Sequence, residues 1–258
     1  MNLKFPARAL GINPRIIVHS VRGLGQFYAN RREFSRQARG RKEWEIGSDW
    51  PRPADRYDNS GVANGQYFHQ DLYVAQKIHE HGPVRHLDVG SRVDGFVAHV
   101  ATFRPIDILD IRPLSTTAAN ISFTQRDLML EDPSFDACTD SLSCLHTLEH
   151  FGLGRYGDPI DYDGYLKGWE SLTRMLKAGG RFYFSVPMSR NQRIEFDAHR
   201  LFGVPHLLEM IEPHYNILSA AVVDDSGELH RDMNVHSAAG LRSFDVDRGC
   251  IIFVLEKL

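Results

Sequence analysis

Cysteine is scarce in this chain: 258 residues carry three thiols, Cys138, Cys144 and Cys250, with no C-x-x-C pair among them. An odd, scattered set argues against a disulfide framework and against a thiolate zinc site, and it fits a reducing cytoplasm. Long apolar runs are also missing. No stretch of about 18 apolar residues exists, and the first residues lack an apolar core followed by small side chains, so neither secretion nor a membrane span is expected. Internal repeats and low-complexity tracts are absent. The net charge is only -3, too small to mark the chain as a whole for a polyanionic partner.

What the chain does have is enough apolar content, 42%, for one sizeable α/β core with a small additional lobe. Its charge is unevenly spread. Residues 1–56 hold 12 Lys and Arg against 5 Asp and Glu, while the remainder holds 18 against 28. The first segment is therefore a basic arm, densest over 31–42, which could meet phosphate, an acidic glycan or an anionic membrane surface. The plainer reading is a solvated helix, or an arm packed on the acidic body of its own chain or of a second copy, which would make it a route to a homo-oligomer. No nucleic-acid-binding motif accompanies the charge, and nucleic acid is not an expected partner. Helical spacing follows Pro14, with Ile16, Ile17, Val21, Leu24 and Phe27 as apolar positions. The stretch Trp44 to Gly65 is rich in Pro, Gly, Asp and Asn and reads as an irregular linker or lid. The division expected is an arm with linker over residues 1–65 and a main domain over 66–258.

The centre of that domain is Val84 to Arg112. Val84, Leu87 and Val89 make a short strand, Asp88 precedes Gly90, and Gly95 stands where a helix begins. Ile106 to Ile111 is a second buried strand with Asp110 near its end, 22 residues after Asp88. Ligands in open α/β sheets sit at the carboxyl ends of strands, so the loop and Asp110 would face one crevice. A dinucleotide fingerprint requires G-x-G-x-x-G, and Arg92 stands where its second glycine must admit a pyrophosphate. The plain alternative is a strand-to-helix turn whose glycines only relieve backbone strain.

Around this unit the pattern alternates. A helix is expected over Tyr67 to His81, with Leu72, Tyr73, Ala75 and Ile78 inward and Gly82-Pro83 ending it. Strands are expected at Ile121 to Gln125, Phe135 to Leu142 and Arg181 to Val186, the last stopped by Pro187. A helix over Gly164 to Leu176 should turn Leu166, Trp169, Leu172 and Leu176 inward and end at Gly179-Gly180. Helical spacing returns over Val204 to Ile211. Two further strands, Ile217 to Val223 and Cys250 to Leu255, lack a convincing helix between them and should form an antiparallel closing pair. The fold class expected is a Rossmann-like α/β sandwich around a seven-stranded, mostly parallel sheet.

The order of loop glycines, strand-end acids and closing hairpin resembles the class I S-adenosylmethionine-dependent methyltransferases. Phe135-Asp136-Ala137, Leu145 to His150 and Leu176 to Gly180 before RFYFSVP are similar to their fourth-strand and pre-fifth-strand segments. The stretches GVANGQYFHQD, HFGLGRYGDPID and FDAHRLF resemble a methyltransferase-like family of unknown function often found with bacterial surface-polysaccharide genes. The likeness covers roughly Tyr67 to Leu258. It implies S-adenosylmethionine as cofactor, with Asp88, Gly90, Ser91 and Gly95 shaping its methionine and ribose end. Asp110 would take the ribose hydroxyls, beside Ile111, and Asp127 the adenine amino group, beside Leu128. Asp127 has a second reading, as a turn or cap aspartate. The implied reaction is O-methylation of a sugar, nucleotide-sugar or glycan; the alternative is a non-catalytic binding protein on the same fold.

His146, Glu149 and His150 fall at i, i+3 and i+4, one face if the segment is helical. A neutral imidazole can act as base near neutrality, and His150 is the first candidate. The triplet also resembles the E-x-x-E-H metal site of ubiquinone-pathway and small-RNA methyltransferases, with His146 in place of the first glutamate. That implies a divalent metal held by His146, Glu149, His150 and His199. The plain alternative has His146 and Glu149 packed or paired at a helix start while His150 works alone. Tyr156, Asp158, His199 and Arg200 are the expected acceptor contacts; Asp161 and Asp163, on the loop of Tyr156 and Asp158, could also reach a sugar hydroxyl, and Arg155, Arg190 and Arg193 a phosphate or uronate.

Overall fold

The computed structural model describes residues 13–237 and 245–258. The part of the expected basic arm before residue 13 lies outside them. The chain divides between Val62 and Ala63 into two compact units.

In the first unit, helix α1 spans Pro14–Gln37. Asn13 caps it by accepting from the Arg15 amide at 3.0 Å, and Pro14 occupies the first turn, where a missing N–H costs nothing. The stretch Trp44 to Gly65 holds a single short turn of 3-10 helix, Asp55–Tyr57.

The second unit is a three-layer α/β sandwich. Helix α2, Gln66–His81, ends as expected at Gly82, whose left-handed backbone (φ 59°) donates to the Ile78 carbonyl at 3.0 Å. Strand β1 is His86–Val89, followed by a π-type turn Val93–Val97 running into the one-turn helix α3, Ala98–Ala101. Strands β2, Ile106–Asp110, β3, Ile121–Gln125, and β4, Thr139–Leu145, precede helix α4, Gly164–Met175. Then come β5, Leu176–Met188, the short antiparallel pair β6, Arg193–Glu195, and β7, His199–Leu201, and helix α5, Val204–Ile211. Strands β8, Tyr215–Val223, β9, Leu229–His230, and β10, Gly249–Lys257, close the chain.

The main sheet runs β3-β2-β1-β4-β5-β10-β8-β9. Strands β1 to β5 pair in parallel, and β10 inserts antiparallel between β5 and β8. The antiparallel closing pair is thus present, and the sheet has eight strands instead of seven. The extra one is β9, two residues that fold back on Val222 and Val223 after the turn at Asp224. Alternation along the strands sorts the core into two faces. Phe182, Phe184 and Val186 pack with Trp169, Leu172 and Ile211 under α4 and α5. Tyr183 and Leu145 turn the other way, joining Ile78, Phe96 and Val100 under α2 and α3.

Several local expectations are corrected. Leu72 and Leu166, placed inward by periodicity, are 40% and 36% exposed, while Gln70 is buried in their stead. Val84 is 93% exposed, because β1 begins only at His86. The fourth strand starts at Thr139 instead of Phe135. Asp132 accepts from the Ser134 amide at 2.9 Å and, with Pro133, sets a 3-10 turn through Phe135. Gly179-Gly180 does not end α4. The chain has already become extended at Leu176, whose side chain is fully buried, and Gly179 (φ 72°) lies within β5. Pro187 does not stop β5 either: it lies opposite Cys250, and its carbonyl accepts from Phe202 N at 3.0 Å. Two buried polar side chains, His86 and Asp88, sit in β1. His86 is wholly buried, with Nδ1 2.8 Å from Ser141 Oγ and Nε2 3.1 Å from Ser143 Oγ, and burial pushes its pKa down to about 3, keeping it neutral.

Candidate functional site

The carboxyl ends of β1, β2 and β4 converge on the loop after β1. Asp88 lies beneath that loop with no exposure. It accepts from Ser91 N at 3.1 Å and Ser91 Oγ at 2.9 Å, and from the Ser143 hydroxyl. Burial pushes the Asp88 pKa up to about 7, against the pull of those donors. Its contacts are those of a loop organiser. Gly90 has φ 73°, and a Cβ there would stand 2.3 Å from Thr147 Cγ2, so both backbone and neighbour require glycine. Gly95 sits in the π-type turn, facing Asp71 of α2.

A cleft opens here, with about 550 Å³ of empty space that includes open solvent. Its walls include Ile111, Leu128, Met129 and Phe151, with Asp110 and Asp127 among its polar residues. Asp127 also accepts from Met129 N at 2.9 Å, so it orders its own turn. Asp110 is more heavily committed. Arg112 donates to it from the backbone at 2.8 Å, from Nε at 3.0 Å and from Nη2 at 2.6 Å. The same guanidinium lies 4.5 Å from the Tyr156 ring centroid, and the Asp110 carboxylate raises the Arg112 pKa, partly opposed by burial. Arg112 and Thr147 were not singled out by sequence reasoning. Arg112 follows Asp110 by two residues, a spacing that allows a carboxylate to receive both its backbone and its side chain.

A second, adjoining cavity of about 1,200 Å³ shares Gly90, Arg112, His146, His150 and Tyr156 with the first and adds Tyr67, Gln70 and Asp71 from α2. The α2 residues had no functional signal, since a polar stripe on a helix reads as a solvated face. Desolvation raises the Asp71 pKa, against a hydrogen bond from Gln70 Nε2 at 3.0 Å.

After β4 the chain makes a turn, not the helix on which the His146, Glu149, His150 spacing relied. His146 has a left-handed backbone (φ 50°), and only Leu148–His150 form a 3-10 turn. The three side chains nevertheless meet. His146 Nδ1 lies 3.1 Å from Glu149 Oε1, and His150 Nε2 lies 3.7 Å from the same oxygen. Burial opposes charge on His146, but Cys250 and Glu149 beside it outweigh that and hold its pKa well above the ordinary value. His150 behaves oppositely: burial lowers its pKa despite Glu149. Its Nδ1 is 2.7 Å from the Ala198 carbonyl, which can only accept, so Nδ1 carries the proton and neutral His150 presents a lone pair at Nε2.

The remaining expected contacts divide. Tyr156 lines both cavities, edge-on to His150 with ring centroids 5.3 Å apart. Asp158 accepts from Gly154 N at 3.0 Å and Tyr156 N at 3.1 Å, so both its oxygens shape the loop. His199 lines a third cavity of about 580 Å³ with His146, Glu149, His150 and Arg155, its Nε2 3.6 Å from Glu195. Arg200 is only 6% exposed and donates to the carbonyls of Glu149, Phe151 and Tyr162, so it pins the turn instead of facing an acceptor. Among the described residues no three His, Cys, Asp or Glu side chains are arranged to hold a metal ion. The set His146, Glu149, His150, His199 is divided between an ion pair, a carbonyl-bound imidazole and a separate His199–Glu195 contact.

Fold and strand-end site together define a class I methyltransferase fold. Similar solved structures are the 1,6-didemethyltoxoflavin-N1-methyltransferase of Burkholderia thailandensis, with bound 1,6-didemethyltoxoflavin and S-adenosylhomocysteine (16% identity, 73% of this chain and 78% of that one, TM-score 0.50), and the N-methyltransferase NodS of Bradyrhizobium japonicum WM9 in complex with S-adenosyl-L-homocysteine (11%, 88% and 97%, 0.50). An S-adenosylmethionine-dependent methyltransferase of Clostridium acetobutylicum ATCC 824 is also similar (13%, 75% and 93%, 0.50). At these identities the likeness is one of fold. The chain belongs to the family described as "Caenorhabditis protein of unknown function, DUF268", whose model matches residues 117–258, more than half of the sequence. That match contains the His146 to His150 turn and leaves out the glycine loop. No curated protein matches the chain.

Proposed function

We propose that the chain is an S-adenosylmethionine-dependent methyltransferase that methylates a hydroxyl of a sugar, nucleotide-sugar or glycan, with His150 as base. The observation that carries the reading is the His150 imidazole: held by the Ala198 carbonyl, kept neutral by burial, and offering its Nε2 lone pair where the three cavities meet. The donor suits the residues present. Ile111, Leu128, Met129 and Phe151 offer apolar walls for a planar base, and Asp110 and Asp127 offer acceptors for its N–H and O–H groups. Asp71, in the second cavity, can accept from an ammonium group. When bound, the donor supplies an electrophilic methyl carbon on a sulfonium.

The protein's part is alignment and proton removal. Nε2 of His150 takes the acceptor proton as the oxygen attacks. Glu149, 3.7 Å away, then faces the new imidazolium. His146, paired to the same carboxylate, keeps Glu149 from being a bare buried charge beforehand. The Arg112 clasp supports a second reading, a binding protein on this fold, because Asp110 already has an internal partner for each oxygen. A labelled-methyl assay against nucleotide sugars and oligosaccharides, with mass spectrometry of the product, tests the first. Calorimetry with S-adenosylmethionine and S-adenosylhomocysteine separates the two, since absence of any binding favours the second.

A further inference from the structure

Helix α1 has two chemically distinct faces left over after its own unit has folded. On one side Gly23 packs against the linker so closely that a Cβ would lie 2.0 Å from the Pro53 carbonyl oxygen, and the His19 ring lies 4.8 Å from Tyr57. Turned away from that contact, Ile17, Val21, Leu24 and Tyr28 recur at i, i+4, i+7 and i+11 and are 53%, 65%, 39% and 65% exposed. Arg32 flanks the stripe and Arg36 lies about a quarter turn from it, Arg15 and Arg22 lie farther round the helix, and Arg39, Arg41 and Lys42 follow just beyond its end, all exposed. The helix has one acid, Glu33, and Arg36 clasps it at 2.6 Å. Two further large aromatics, Trp44 and Trp50, are 87% and 79% exposed in the following segment.

We infer that α1 and the tryptophans after it form a surface that lies in the headgroup region of an anionic membrane. The apolar stripe would enter the acyl boundary, the flanking guanidinium groups would meet lipid phosphates, and the indoles would sit at the interface. Charge complementarity selects this occupant. A second copy of α1 would bring two basic faces together with no flanking acids to pair them. No helix among the described residues is long and apolar enough to cross a membrane, so the contact is interfacial. The inference stands independently of the methyl-transfer reading.

Cosedimentation of the full chain tests it, with vesicles of phosphatidylcholine alone and of phosphatidylcholine with phosphatidylglycerol. Binding should be at least about tenfold stronger to the anionic vesicles and fall as salt rises. Trp44 and Trp50 should shift to shorter emission wavelength on those vesicles; the third tryptophan, Trp169, is buried in the other unit. Two variants should each abolish binding: V21E with L24E, and R32Q with R39Q, R41Q and K42Q. Unchanged helical circular dichroism of the full chain shows that α1 still forms in either variant. Equal or absent binding to both vesicles overturns the inference, as does retention by the stripe variant. A concentration-dependent dimer that V21E with L24E dissolves also overturns it and assigns the face to a second copy.

Discussion

His150→Gln is the substitution that bears most directly on the proposed chemistry. Glutamine keeps a side chain that can still donate to the Ala198 carbonyl, which holds His150 Nδ1 at 2.7 Å, but it removes the basic Nε2. General-base catalysis contributes roughly 10²–10⁴ in rate, or about 3–5 kcal/mol of barrier. Among the described residues Glu149 is the only carboxylate within 4 Å of a His150 ring nitrogen, and its Oε1 is already 3.1 Å from His146. Protonating it would strand the buried imidazolium, so it is a poor substitute, and turnover should fall at least about a hundredfold. Donor affinity, read by calorimetry with S-adenosylhomocysteine, should change by less than about threefold, under 1 kcal/mol, because its proposed polar anchors are Asp110 and Asp127. The wild-type pH profile adds a second reading. A base works only when neutral, and burial lowers the His150 pKa from 6.5. Turnover should therefore be flat above that value and decline only at lower pH, as the imidazole protonates. Turnover of H150Q within about threefold of wild type, a change worth under 1 kcal/mol, refutes the base assignment.

Other consequences are equally concrete. Asp110→Ala should weaken S-adenosylhomocysteine binding at least about tenfold, roughly 1.4 kcal/mol, by calorimetry; unchanged affinity would move the donor out of the first cavity. Gly90→Ala combines a φ of 73° with a Cβ 2.3 Å from Thr147 Cγ2 and should cost about 1–3 kcal/mol in urea unfolding. Adding Thr147→Ser, which deletes that methyl, should recover part of the loss. Asp88 titrates near 7 when folded against 3.8 as a free side chain. The folded state then binds the extra proton between about pH 4 and 7, so stability should fall as pH rises through that window, by about 4 kcal/mol at most. Asp88→Asn should flatten this slope in urea midpoints, and an unchanged slope would assign it elsewhere.

The alternation of strands and helices, the closing antiparallel pair and the position of the glycine loop were all legible in the order of residues. Periodicity and glycine placement act locally, and Gly82 ends α2 where its neighbours said it would. The same local reasoning misplaced Leu72, Leu166 and Val84, because burial depends on where the neighbouring elements pass. Pro187 read as a strand stop, yet β5 continues through it: β10 runs alongside and the Pro187 carbonyl is met by Phe202. The i, i+3, i+4 spacing of His146, Glu149 and His150 did find three side chains that meet, although the helix that motivated it is absent. Sequence thus singled out the candidate groups and roughly where they fall. Only the tertiary structure decided their states. Arg112 closing on Asp110, Ala198 fixing the His150 tautomer and Arg200 fastening the turn beneath Glu149 join atoms through hydrogen bonds whose distances the folded backbone sets, and in two of those cases across more than forty residues of chain.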